Sequence, residues 1–396
     1  MKRRPGRRGR DVEETMLTNK ERMADAEETM LPKKKKKQRM ADAEKSSYLV
    51  VGHGCMSPAF SLFKIEPYTD SGGGDTPVRI PRRLARLKCN HNMSFVPFKS
   101  KDRRWIVGVG GCSTESCYGP GTIIFNTRKH SVIRGPEPKS VKSYPILLPI
   151  DHKIYALART PSVVGPLNFV PWFEVLDLSS AWEVDGRLTN CKWSRLKRPP
   201  FFPWELTPGD YICPPSVTVK SYAAVGSRIL VSVTGHVGTY AFDTSSNRWS
   251  TVDDKNCLPF VNGAVPHSPG LFLGLSRATK AMAGYKINVD GAKPLSVVEI
   301  PVVSNLEDVD LVVHSYNFLS LGVDRGFCLM SCWSVDETRD PPHLQAHIRV
   351  RTYKTDDFVE SQGKFLVVNK QWMQVYKIRD LIRTLDAPCL ASVVSI

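Results

Sequence analysis

The sequence predicts an all-β fold, a β-propeller of about six four-stranded blades preceded by a disordered basic tail. Three observations lead there. An apolar, strand-like run is followed by a polar gap and a second run ending in Asp or Asn, often with a Trp just beyond, and this unit recurs at a period of about 45 to 65 residues. From Tyr48 onward short strands alternate with Gly, Pro, Asn and Asp, with almost no helical periodicity before residue 370. The first 47 residues differ in composition, carrying fifteen Lys or Arg against nine Asp or Glu.

These observations divide the chain into 1–47 and 48–396. In the first part Glu13-Glu-Thr-Met-Leu17 returns as Glu27-Glu-Thr-Met-Leu31, and Met23-Ala-Asp-Ala-Glu27 returns as Met40-Ala-Asp-Ala-Glu44. Such a charged, repetitive stretch cannot bury enough apolar area to offset its ordering entropy, so disorder is expected. Lys33, Lys34, Lys35, Lys36, Lys37 and Arg39 form a basic run of the type read by nuclear-import receptors or drawn to phosphates.

The repeat units follow in order. The first spans about residues 48–98, with Tyr48–Gly52 and Phe60–Glu66 as strands. The second runs from Arg104–Gly111 through Thr122–Thr127 to Ser131–Arg134, and the third from Lys153–Ala158 through Trp172–Leu178 to Trp193–Leu196. The fourth is the clearest: Arg228–Gly235, Gly238–Thr244 and Arg248–Val252. The fifth pairs Leu271–Ser276 with Met282–Asn288, and the sixth Gly326–Trp333 with His347–Tyr353. Each small sheet is apolar on both faces and needs neighbours to bury them. Gly108, Gly110 and Gly111 suit a crowded inner position, and the tryptophans Trp105, Trp172, Trp193 and Trp249 suit the gaps between sheets.

The run ending in Gly110-Gly111, followed by a Tyr or Phe strand and a Trp, resembles a kelch repeat, and Tyr240-Ala-Phe-Asp243 leading to Trp249 is the nearest single match. Asp177 closes the corresponding strand of the third unit. Over about residues 48–370 the chain resembles uncharacterised kelch-type propeller proteins of plants, with degenerate glycine signals. That resemblance implies a substrate-binding propeller, and no F-box pattern precedes Tyr48.

The net charge is +16, of which the tail contributes +6; the rest lies on the folded part, where it favours acidic partners or nucleic acid at long range. No run reaches the roughly 18 apolar residues that span a bilayer, and the amino terminus is charged, so a monomer in the cytoplasm or nucleus, without membrane contact, is expected. The ten cysteines read as reduced, buried thiols. Cys112 with Cys117, and Cys328 with Cys332, lack a second half for zinc, and Glu307–His314 is one residue off the spacing of an iron site in related specifier proteins. His53, His152, His236 and His267 read as turn residues, and no nucleophile, base and orienting group assemble. No cofactor and no catalysis are therefore expected.

The function expected is a protein-interaction platform, its partner held by blade-connecting loops on one face. Two insertions stand out, 159–171 and 197–208, the second combining Arg198 with Phe201, Phe202 and Trp204, residue types favoured at interface hot spots. A nuclear, nucleic-acid-associated protein using the tail and basic surface is the alternative, and a metal-dependent kelch enzyme the third reading. Met40 is expected to serve as a translation start; peptides spanning residues 11–22 should be absent from mass spectra of the native protein, and their recovery would refute it.

Overall fold

The computed structural model describes residues 46–53, 59–66, 78–89, 91–111, 121–160, 172–202, 207–213, 215–289, 294–304, 317–322, 326–334, 345–356, 366–379 and 389–396. The chain divides into two units, Met1–Ser46 and Ser47–Ile396, and the second carries the strands. The basic run at 33–39 lies outside the described residues.

The described strands form antiparallel four-stranded units. Sheet I contains β1 (Ser47–Gly52), β2 (Phe60–Ile65) and β3 (Arg83–Leu87). Sheet II contains β4 (Met93–Lys99), β5 (Arg104–Gly110), β6 (Gly121–Asn126) and β7 (Ser131–Arg134). Sheet III contains β8 (Ile146–Ile150), β9 (Lys153–Leu157), β10 (Phe173–Asp177) and β13 (Trp193–Arg195), and the intervening hairpin of β11 (Trp182–Val184) and β12 (Arg187–Thr189) joins the outer edge of sheet II. After a short helix, α1 (Pro208–Ile212), sheet IV contains β14 (Val219–Val225), β15 (Arg228–Val233), β16 (Thr239–Asp243) and β17 (Arg248–Asp253). Sheet V contains β18 (Phe260–Ser268), β19 (Leu271–Ser276), β20 (Met282–Asn288) and β21 (Ser296–Ser304). Sheet VI contains β22 (Asn317–Gly322), β23 (Gly326–Ser334), β24 (Gln345–Asp356) and β25 (Leu366–Arg379). The last strand, β26 (Cys389–Ser395), pairs with β1 and completes sheet I in the order β26-β1-β2-β3. Short parallel pairings, β14 with β18 and β21 with β25, join IV, V and VI into one continuous 12-stranded sheet.

Strand alternation explains how the sheets associate. In β1, Leu49 and Val51 pack with Met330, Ile348 and Tyr376 of sheet VI, whereas Tyr48 and Val50 pack with Phe95, Ile106 and Phe125 of sheet II. Four further clusters fill the remaining junctions, between II and III, III and IV, IV and V, and V and VI. Packing therefore returns to its starting sheet, giving an all-β, propeller-like arrangement. Among the described residues no helix is long and apolar enough to cross a membrane.

The Asp or Asn that ends the third strand of a sheet builds the next turn. Asn126 Oδ1 accepts the amides of Arg128 (3.1 Å) and Lys129 (3.2 Å), Asp177 Oδ1 that of Ser179 (2.9 Å), and Asp243 Oδ1 that of Ser245 (2.8 Å). The following amides, of Thr127, Leu178 and Thr244, donate to the carbonyls of Arg104, His152 and Ser227, fixing this turn against the second strand.

The first strand of most sheets is absent from the units read in the sequence. Met93–Lys99 belongs to sheet II, not to the unit spanning 48–98, and β8, β14, β18, β22 and β26 were not anticipated. Pro97, Pro149 and Pro266 sit in three of these strands. β4 and β8 are edge strands, and β18 pairs with β14 only at Asn262 and Gly263, so Pro97, Pro149 and Pro266 each face a side with no ladder partner.

Tryptophans fill the junctions. Trp193 is 2% exposed between sheets II and III, and its Nε1 donates to Thr122 Oγ1 (3.0 Å) and the Pro136 carbonyl (3.1 Å). Trp105 is buried in the same cluster and stacks on Phe98 at 5.8 Å. Trp172 is buried between III and IV, and Trp249, only half-buried, meets Phe173, Phe201 and Phe242 at centroid distances of 5.5, 5.4 and 5.1 Å. Trp193→Ala should cost about 3 to 5 kcal/mol in urea unfolding, and Trp249→Ala less, because more of its ring already meets water.

Candidate functional site

The six inner strands, β26, β4, β8, β14, β18 and β22, surround a central cavity of about 910 Å³. Its wall combines apolar side chains, Phe95, Leu147, Val265, Phe318 and Val393, with polar ones, among them Ser94, Asn262, His267, Asn317 and Ser320, and no carboxylate is present among its described lining residues. Arg159, just past β9, is the single Lys or Arg of that lining. Its Nη1 donates to Asn262 Oδ1 (3.3 Å), and its guanidinium carbon lies 6.0 Å from the Tyr222 ring centroid. The Arg159 carbonyl accepts the Val219 amide (2.9 Å), tying the residue to sheet IV.

The backbone around this arginine is specialised. Asn262 adopts φ 58°, a left-handed conformation that Asn tolerates better than most residues, within a register shift of β18. At Gly263 a Cβ would stand 2.7 Å from the Tyr222 ring, so glycine lets the ring lie against β18. Gly110, at the end of β5 in sheet II, leaves no room for a side chain either: its φ is 136°, and a Cβ would stand 2.6 Å from the Asn92 carbonyl oxygen. Gly111 has φ 141°.

In the connection leading to β8, the buried Lys142 ammonium forms an ion pair with the buried Glu174 carboxylate of β10. Ser140 Oγ accepts from Lys142 Nζ (2.7 Å), and the Lys139 amide donates to Glu174 Oε1 (2.9 Å). Burial lowers the Lys142 pKa and Glu174 raises it in part, with burial the larger effect. A fully enclosed pair of this kind fixes the connection, Tyr144 included, and has no open side for a substrate.

His267 lines the cavity on β18, its Nδ1 3.0 Å from Ser320 Oγ. Burial holds its imidazole below the ordinary value. A His–Ser contact without an orienting carboxylate is not the arrangement of an activated nucleophile. His53 is also buried, its Nε2 2.8 Å from Ser61 Oγ; His53 and His267 are therefore core-facing groups and not the solvated turn residues expected from their Gly and Pro neighbours. Burial raises the Cys89 and Cys328 thiols to about 12, which makes them poor nucleophiles. Among the described residues no group of three or more His, Cys, Asp and Glu could hold a metal; Cys112, Cys117 and Glu307–His314 lie outside them.

A second cavity, of about 520 Å³, opens where β3, β5 and β7 end and β4 and β6 begin. Lys88, Arg134 and Arg187 line it, with Glu137 as the one carboxylate among its described residues. Register places Arg134 beside Arg187, and Val184 opposite Arg187, so Val132, Arg134, Arg187, Val184 and Trp182 share one sheet face. Trp182 is 54% exposed there, Val184 45% and Val132 37%.

The residues singled out in the second insertion separate. Phe201 and Phe202 are 2% and 1% exposed in the core between sheets III and IV, with ring contacts to Trp172, Tyr240 and Trp249, so they present no surface to a partner. Arg198 is exposed, and Trp204 lies outside the described residues, as does most of 159–171. Arg187 and Trp182 carried no signal in the sequence, and Arg134 and Arg159, read there as a strand end and the start of an insertion, gave no sign of their neighbours, because only register and closure bring these groups together.

The described strands and core clusters define an all-β, propeller-like protein whose inner strands line a cavity. A family model covering residues 44–376 matches the sequence, and the chain belongs to that family, DUF1668, described as proteins of unknown function. No curated protein matches it. Among solved structures, a Bacteroides uniformis protein named as a 6-phosphogluconolactonase is similar with a TM-score of 0.44 and 9% identity, covering 89% of this chain and 100% of that one. The WD40 domain of SCAP from fission yeast is similar with a TM-score of 0.31 and 10% identity, covering 86% and 79%. Neither likeness carries a functional argument.

Because the folded His267 binds its proton less tightly than the unfolded one, its contribution to stability is present above the unfolded pKa, near 6.5, and is lost as pH falls from there towards the lowered folded value. His267→Asn should flatten that part of the stability profile between pH 7 and 5 in urea titrations. An unchanged slope would contradict the assignment.

Proposed function

We propose that the chain is a non-enzymatic, six-bladed β-propeller of kelch type that seats a protein partner on one face, in the cytoplasm or nucleus. One observation carries this reading, the asymmetry of the connections. On one face β4–β5, β8–β9, β14–β15 and β18–β19 turn within 100–103, 151–152, 226–227 and 269–270, and the long connections there are 66–82 and 178–192. Antiparallel order sends the connections between second and third strands, and from fourth strands to the next sheet, to the opposite face, and these include 135–145, 158–172 and 196–218. Long connections on a rigid scaffold are where binding surfaces concentrate.

The cavity lined by Lys88, Arg134 and Arg187 opens on that long-connection face, with Trp182 and Val184 exposed alongside. Cations beside an exposed aromatic favour an acidic protein segment carrying an apolar residue. The nucleic-acid reading is favoured by the same cations together with the +16 net charge.

Affinity purification from native tissue should be run with the intact chain, a chain lacking residues 1–39, and the double variant Arg134→Glu, Arg187→Glu. The first two should recover the same protein and the double variant about tenfold less. Equal recovery by all three would remove this cavity as the docking site. Binding of duplex DNA or RNA that falls steeply with salt, and that is lost with the tail, would instead support the nucleic-acid reading.

A further inference from the structure

We infer that the channel is a binding site for a small organic anion, a molecule with one carboxylate or phosphate head and an apolar body, whose head is held by Arg159. This does not depend on the protein-partner reading. The volume of about 910 Å³ and the mixed wall, more of it apolar than polar, suit a small-molecule site, in which placed polar groups select the ligand.

The sign of the head follows from what surrounds Arg159. Its partners, the Asn262 amide oxygen and the Tyr222 ring, orient a guanidinium without neutralising it. An Asp or Glu at position 262 would cancel the charge; an amide leaves it for the ligand. No described lining residue supplies a carboxylate in its place. A guanidinium offers five N–H donors, and one of them goes to Asn262. The left-handed Asn262 backbone and the close approach of Tyr222 to Gly263 set both groups beside Arg159.

The body of the ligand is set by the apolar part of the wall. Phe95, Leu147, Val265 and Phe318 offer apolar contact, while the described lining's one imidazole, His267, is shifted by burial towards its neutral form. A polyanion would leave its further charges facing these apolar groups unpaired, whereas a single head on an aromatic or aliphatic body is matched at both ends.

The test uses the full chain and three probes, benzoate, phenyl phosphate and uncharged benzyl alcohol, titrated by ligand-observed NMR. Benzoate or phenyl phosphate should bind at least about tenfold tighter than benzyl alcohol, and the tighter of the two names the head group. Arg159→Gln should weaken the anion about tenfold. Asn262→Asp tolerates the same backbone conformation and pairs Arg159 internally, so it should do the same, which keeps the test decisive if Arg159→Gln fails to fold. Lys255→Gln, at an exposed position that lines neither cavity, should bind as the unaltered chain does. Equal affinity for the alcohol and the anions, unaltered anion binding by Asn262→Asp, or loss confined to Lys255→Gln would each overturn the assignment.

Discussion

Every sheet in this protein is apolar on both faces, and neither face is covered from within its own sheet. Leu49 and Val51 of β1 need sheet VI, Tyr48 and Val50 need sheet II, and the same division holds at every junction. Such sheets are stable only where each has two neighbours. The junction between sheets VI and I joins residues near opposite ends of the chain, and the pairing of β1 with β26 brings Leu390 and Val393 into it. That antiparallel contact between Ser47–Gly52 and Cys389–Ser395 is the constraint on which the remaining junctions depend.

Closure also creates the site. It converts six inner edges, unremarkable as isolated strands, into the wall of one cavity, and it sets Arg159 of sheet III against Asn262 of sheet V and Tyr222 of sheet IV. The buried Lys142–Glu174 pair steadies a connection at the junction of sheets II and III. Removing one partner of such a pair leaves an uncompensated buried charge, a cost of about 3 to 5 kcal/mol, so its role is structural.

Much of the fold was legible because its signals are local. The Asp or Asn ending a strand, as at Asn126, Asp177 and Asp243, builds its own turn within three residues, and the middle strands are apolar runs bounded by such turns. The inner strands were not legible for a physical reason. Pro97, Pro149 and Pro266 interrupt them, and proline reads as a break unless the strand is known to be an edge. Phe201 and Phe202 misled for the opposite reason: in a Pro-rich segment they resemble a hot spot, and only the packing against Tyr240 and Trp249 makes them core. Arg159 and Asn262 are separated by 103 residues, and no spacing in the sequence joins them.

The central claim is that β26 closes the ring. Hydrogen exchange read by mass spectrometry, comparing the intact chain with one ending at Pro388, tests it most directly. Protection in β1, and in the neighbouring inner strands β4 and β22, should fall on truncation and return when a peptide of residues 389–396 is added. Unchanged protection in β1 and β22 after truncation would contradict the account.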